Sequence, residues 1–215
     1  MLLEPVDKFV REAYAAGSAS AEGGDVKVRW KGIKERTKSV TFLQGTLQSF
    51  DPSHPLSSTQ VIGRVGYSPS SPSPLPDLTA PLDIAWCQWC LGHLSDPDLV
   101  SFLKRCKSAL REGGRSLVVV KENLCRDSDG EAGGEMSPRT VFDEQDSSLT
   151  RYVVSLPANS LYNIFWWYRS DLAWKKIFVN AGLKLVKERI QEGLPDGLYE
   201  VKMHVINCCS FSAHG

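Results

Sequence analysis

Long apolar runs are missing from this chain. No stretch of its 215 residues approaches the roughly 20 consecutive apolar residues that a membrane-spanning helix needs. Excess charge of one sign is missing as well. Its 25 Lys and Arg balance 25 Asp and Glu, which argues against a mainly electrostatic nucleic-acid binder and leaves room only for a local basic patch. The N-terminus has no charged-then-apolar secretory pattern. Six cysteines are present without any sign of a secreted framework, because a chain this long, 42% apolar, can build a core without staples. Cys87 and Cys90 form a C-x-x-C, yet no second such pair and no His pair follows at zinc spacing. Small apolar filler at a strand end is favoured for them over redox or metal use, and no metal site is expected. These absences lead to one expectation: a monomeric, single-domain protein of the cytoplasm or nucleus, with neither membrane nor nucleic acid as partner.

What is present is concentrated between Leu82 and Lys121. Leu82-Asp83-Ile84-Ala85-Trp86 is an apolar run ending near Gln88, Trp89 and His93. Asp96 opens a helix whose apolar residues Leu99, Val100, Leu103, Cys106 and Leu110 recur at helical spacing. Gly113-Gly114 stops it, and Leu117-Val118-Val119-Val120 is a second strand. Strand, helix, strand makes a βαβ unit and a parallel sheet. Ligands of such sheets bind beyond the carboxyl ends of the strands. Gln88, His93, Lys121 and Asn123 fall just past those ends.

The remaining chain reads as more of the same α/β class. Leu2-Leu3-Glu4 is the end of a strand, Val6 to Ala16 a helix, and Ala15 to Gly24 a small, flexible stretch. Val40 to Gln44 is a strand. The Ser- and Pro-rich segment from Gln60 to Ala80 predicts a disordered surface insertion. Cys125 to Ser137 is a polar loop. Ser170 to Asn180 is a helix capped by Gly182, and two strands follow, Leu183 to Arg189 and Tyr199 to Ile206.

Several side chains carry chemistry. An acid at the place of Glu4, closing a strand before a helix, binds ribose hydroxyls in nucleotide-binding sheets; a solvated helix-start acid is an equal alternative. Leu47-Gln48 after the next strand suits an adenine ring, weakly. With Gln88, the residues Glu4 and Gln48 are expected to trace one edge of a single sheet. His93 has the pKa range of a general base, though on position alone a packing or capping role outweighs that. Asp143 and Asp146 lie in an acidic loop able to hold an ammonium group or simply to face water. Asn123 suits a peptide backbone or a turn.

The stretch from Leu82 to Asp96, with its Gln88-Trp89 and Gly92-His93-Leu94, closely resembles the protein α-N-terminal methyltransferases. The resemblance continues through Phe102 to Cys106, Lys121-Glu122-Asn123, Asp146-Ser147-Ser148, Ala181-Gly182-Leu183 and Leu194 to Tyr199, and Glu4 to Phe9 matches the family's second strand and helix. It implies a Rossmann-like class I methyltransferase sheet. It also implies transfer of one to three methyl groups from S-adenosylmethionine to a free α-amine in an X-Pro-Lys context, with ribosomal proteins as typical substrates. By motif, Glu4, Pro5 and Val6 would line the cofactor's ribose, Leu47 and Gln48 its adenine, and Gln88 would also touch it. Trp89, Asn123, Asp143, Ser148 and Tyr199 would line the peptide channel, and His93 and Asp146 would act on the amine.

The sequence departs from that pattern in two places. No strand with a Gly-rich loop, and no N-terminal helices, precede Glu4, so the sheet is expected to miss its first strand and to leave neighbouring strands with unpaired edges. Residues 152–168, with Ile164 to Tyr168, form an aromatic insertion, either a lid or sequence foreign to the fold. Residues 1–215 are thus read as one incomplete methyltransferase domain with insertions near 60–80 and 152–168. The alternatives are a catalytically inactive remnant and a small-molecule methyltransferase of the same fold.

Overall fold

The structure is a computed structural model that describes residues 1–23, 30–67, 78–113, 115–126, 139–143, 166–195 and 198–207. The chain falls into two compact units, Met1–Pro81 and Leu82–Gly215.

In the first unit, β1 (Leu2–Glu4), β2 (Val40–Gln44) and β3 (Gln60–Val65) form a three-stranded sheet in that order. β1 runs parallel to β2, with Glu4 opposite Gln44, and β3 is antiparallel to β2. Helix α1 (Asp7–Glu22) turns Val10, Gly17 and Ser20 inward at helical spacing. Phe42 is fully buried among Val10, Ile33 and Val65, with the rings of Tyr14 and Trp30 centred 5.6 and 5.8 Å away. Tyr14 lies so close over β3 that a Cβ at Gly63 would enter its ring.

Two expectations fail here. The stretch expected to be flexible from Ala15 onward is helical to Glu22, because Ala15, Ala16, Ala19 and Ala21 are the strongest helix formers. Gly23, at φ 78°, then ends the helix by donating to the Ala19 carbonyl. Nor is 60–80 disordered throughout. Val61, Ile62 and Val65 make β3, and Leu78 is buried. The Ser-Pro core at 68–77 lies outside the described residues.

The second unit holds β4 (Ile84–Gln88), α2 (Asp96–Ala109), β5 (Leu117–Leu124), β6 (Thr140–Asp143), β7 (Trp166–Arg169), α3 (Asp171–Asn180), β8 (Lys184–Ile190) and β9 (Glu200–Asn207). β4 and β5 pair in parallel from Ile84 with Leu117 to Gln88 with Lys121, the expected βαβ unit. β9 lies antiparallel on the other side of β5, and β8 pairs with β9. β6 pairs with β7, which reaches β5 only where Arg169 meets Leu124. Among the described residues, β4 pairs with β5 alone and β1 with β2 alone. Ser95 caps α2 by accepting the Asp98 amide, and Ser170 caps α3 through Ala173. The helices bury Leu99, Phe102, Leu103, Trp174, Ile177 and Phe178.

Helix α2 ends before the glycines expected to stop it, because the Leu82 amide takes the Ala109 carbonyl and Arg111 donates back to Leu82. β5 runs on to Leu124, so Lys121 and Asn123 lie within a strand rather than beyond one; β9 pairs with it that far. Of the aromatic insertion, 166–168 belong to β7, and 152–165 lie outside the described residues.

Candidate active site

Everything distinctive at the carboxyl ends of β4 and β5 is built on one turn. β4 leaves the sheet at Gln88, whose side-chain oxygen accepts the Trp86 indole N–H at 3.2 Å. Trp89 then takes φ 50°, a left-handed conformation rare for a bulky side chain. Its amide donates to the Lys121 carbonyl at 3.1 Å, and the Lys121 ammonium stands 5.2 Å from the centre of its ring. The ring is 46% exposed. A single 3-10 turn, Leu91–His93, follows, with Leu91 and Leu94 fully buried and His93 exposed at its end.

Two buried polar side chains hold this turn from beneath. Alternation along β5 sends Val118, Val120, Glu122 and Leu124 to the interior, so Glu122 is a carboxylate in an apolar row. Its Oε1 accepts the amides of Cys90 at 2.9 Å and Leu91 at 3.0 Å. Burial raises its pKa to about 7, against the pull of those amides and of Arg169. Arg169, fully buried on β7, donates Nη2 to the Leu94 carbonyl and Nε to Asp96 Oδ1 at 2.8 Å. The turn is therefore gripped at both ends.

The Cys87–Cys90 pair sits at the same place. A thiol–thiol hydrogen bond and burial push Cys90 well above the ordinary thiol range, so it is a thiol and not a reactive thiolate. Beyond the turn, Asn123 is half-buried on β5, and Tyr199, just before β9, stacks on Tyr168 at 4.3 Å while remaining 47% exposed.

The second unit thus gathers Gln88, Trp89, His93, Asn123 and Tyr199 around the ends of β4, β5 and β9. Asp143 closes β6 opposite Trp166. Asp146 and Ser148 lie outside the described residues. The single sheet edge expected for Glu4, Gln48 and Gln88 is not formed, because Glu4 belongs to the three-stranded sheet, Gln48 to the turn after β2, and Gln88 to the other sheet. In the first unit Glu4 Oε1 accepts the Val6 amide at 3.0 Å, and burial raises its pKa against that bond. Pro5 is exposed and Val6 caps α1.

Sequence reasoning missed Glu122 and Arg169. The signal for Glu122 was legible, since an acid at an inward position of a strand is an anomaly. It also missed a cluster in which Asp171, Glu188 and His204 bring ligand atoms within 4.8 Å of one another. That cluster already holds its own cations: Lys175 and Lys202 each bridge Asp171 and Glu188 at 2.6–3.1 Å. His204 Nε2 lies 2.9 Å from Asp171 Oδ1. Burial would raise the Asp171 pKa, but the bonds from His204, Lys175 and Lys202 hold it far below the usual carboxylate range.

Residues 59–159 match a family model described as AdoMet dependent proline di-methyltransferase. The likeness to the protein α-N-terminal methyltransferases extends over more than half of the chain. Alpha N-terminal protein methyltransferase 1 of Arabidopsis thaliana is 36% identical over 58% of this chain and 34% of its own length. The Schizosaccharomyces pombe protein of that name is 35% identical over 57% of this chain and 42% of its own. Human N-terminal Xaa-Pro-Lys N-methyltransferase 1 is 33% identical over 55% and 40%. In its matched part the chain thus spans 34–42% of the length of these relatives. A solved SAM-dependent methyltransferase from Leishmania major superposes with TM-score 0.53 at 22% identity, covering 95% of this chain and 53% of that one. This last likeness carries the fold alone, a Rossmann-like α/β arrangement.

Proposed function

We propose that this protein methylates the α-amino group of protein N-termini, with S-adenosylmethionine as donor and chains beginning X-Pro-Lys, ribosomal proteins among them, as substrates. The observation that carries the reading is the Trp89–His93 turn, which offers an indole and an imidazole at the carboxyl ends of parallel strands within the residues 59–159 that match the family model.

The residues present suit the donor. What supports a ribose-side role for Glu4 is its carboxylate at a strand's carboxyl end, accepting the Val6 amide. With Pro5 and Val6 it is the ribose-side candidate of the first unit, and Leu47 with Gln48 is the adenine-side candidate. Gln88, taken within the second unit by itself, is a cofactor-side candidate by the same resemblance. S-adenosylmethionine, when bound, supplies a methyl group made electrophilic by its sulfonium.

The protein's own residues would then manage the amine. An α-amine has a pKa near 8 and is mostly protonated at neutral pH, so it has to lose a proton before its lone pair can attack. His93 accepts that proton, and Asp146 orients the ammonium and eases the loss. By the same resemblance, Trp89, Asn123, Asp143, Ser148 and Tyr199 would line the way in for a chain end.

The test is a synthetic X-Pro-Lys peptide incubated with S-adenosylmethionine and protein. Mass spectra showing stepwise gain of methyl groups at the α-amine support the reading. No gain, together with no calorimetric heat at millimolar cofactor, overturns it in favour of an inactive relative. Methylation of a small molecule but not the peptide overturns the substrate class alone.

A further inference from the structure

We infer that Glu122 and Arg169 are positioning residues of the transfer site: through hydrogen bonds set by their reach, these buried side chains hold the two ends of the Trp89–Asp96 turn and so fix the outward presentation of Trp89 and His93. The inference rests on the function proposed above for that turn.

A carboxylate and a guanidinium inside a sheet are costly, and each is tolerated only where it meets hydrogen-bond partners. Neither is spent on the other as a simple ion pair. Glu122 gives Oε1 to two consecutive main-chain amides, Cys90 and Leu91, the first two after the left-handed Trp89. An amide pair pointing at one oxygen forms a small anion nest, and the anion here belongs to the protein. Without it, both amides would be orphaned next to a fully buried leucine. The extended backbone that Trp89 would otherwise prefer points those amides elsewhere. Arg169 closes the other end, taking the Leu94 carbonyl and the Asp96 carboxylate where α2 begins. Between the two clamps lies only the rest of the 3-10 turn, Gly92 and His93. Rotation of the turn would therefore break bonds at both ends at once.

The groups around Glu122 can be named. Arg169 stands on its β7 side, the Cys87 and Cys90 thiols on its β4 side, and Lys202 is its register partner on β9, with His204 two residues further along that strand. Reach and charge therefore give opposite expectations on substitution. Glu122→Gln keeps an oxygen at the same distance and loses the charge. Glu122→Asp keeps the charge and is one methylene short of the amides.

The experiment measures three things on both variants: kcat and KM for an X-Pro-Lys peptide, binding of S-adenosylhomocysteine by calorimetry, and the backbone amide spectrum of the full chain. Positioning by reach predicts that Glu122→Gln keeps kcat within about threefold, while Glu122→Asp loses about tenfold or more with cofactor affinity unchanged. It also predicts that the Cys90 and Leu91 amide protons, far downfield in the wild type, move upfield in Glu122→Asp and only slightly in Glu122→Gln. Retained kcat in Glu122→Asp, or equal loss in both, overturns the inference. If wild type itself does not methylate, the functional reading falls, and the amide spectrum alone decides whether Glu122 holds the turn. Arg169→Lys, a point charge without the fork, should lower kcat like Glu122→Asp; unchanged kcat there removes Arg169 from the inference.

Discussion

Arg169 Nε lies 2.8 Å from Asp96 Oδ1, yet the two partners stand in different surroundings: the arginine side chain is 0% exposed and the aspartate 53%. The pair is anchored from the inside, so its loss is felt by the buried member. Asp96→Ala should destabilise the second unit by about 1–2 kcal/mol. That is below the roughly 3–5 kcal/mol of a wholly buried pair, because water can take the place of a half-exposed carboxylate. Chemical denaturation of variant and wild type gives the difference.

Glu122 makes a pH signature. Its folded pKa, about 7, is raised above the ordinary 4.5 by burial. Between those values the folded protein binds the extra proton, so this group's contribution to stability falls as pH rises from about 4.5 to 7 and is flat above. The loss amounts to about 3 kcal/mol. Glu122→Gln removes the slope. Measured against wild type, the stability of that variant should therefore improve between pH 5 and pH 8, and a difference independent of pH would show that Glu122 is charged throughout.

His204 works in the opposite sense. Burial lowers its pKa, against the pull of Asp171. Its contribution is present above the ordinary value of 6.5 and is lost as pH falls through the lower folded pKa. His204→Gln should cost about 1–2 kcal/mol at pH 7.5, through the bond to Asp171, and progressively less toward pH 5. Thermal melts across that range read the convergence.

Gly63 faces the Tyr14 ring with no room for a side chain. Gly63→Ala should destabilise the first unit by about 1–3 kcal/mol through overpacking, and a matching Tyr14→Leu should recover part of it. Melting of the double variant no higher than that of Gly63→Ala would show that the ring is not the obstacle.

At the candidate site, His93→Ala and Asp146→Ala should lower peptide turnover by about a hundredfold or more while leaving cofactor binding nearly intact. Gln88→Ala should do the reverse. Steady-state kinetics and calorimetry separate the two, and parallel loss of both quantities in His93→Ala would contradict its role.

The βαβ unit was legible because its signals agree: Asp96 at the helix start, helical spacing from Leu99 to Cys106, and a β-branched run after the helix. The paired late strands were legible for the same reason. Trp89 and His93 could be placed at strand ends, but the left-handed turn at Trp89 could not be foreseen, since its cause is a carboxylate on another strand. β3 was masked by its Ser- and Pro-rich neighbours, and the second half of α1 by its small residues, which composition reads as flexible and helix propensity does not. The division into two sheets depends on which edges find partners, a matter of tertiary pairing that no local pattern reports.

The side chains of Asp171, Lys175, Glu188 and Lys202 stitch α3 to β8 and β9 with ammonium groups where a divalent ion would otherwise sit. A metal could enter only by displacing two tethered lysines. Chelators should therefore leave this corner of the molecule untouched, because the ammonium groups that hold it together belong to the polypeptide itself.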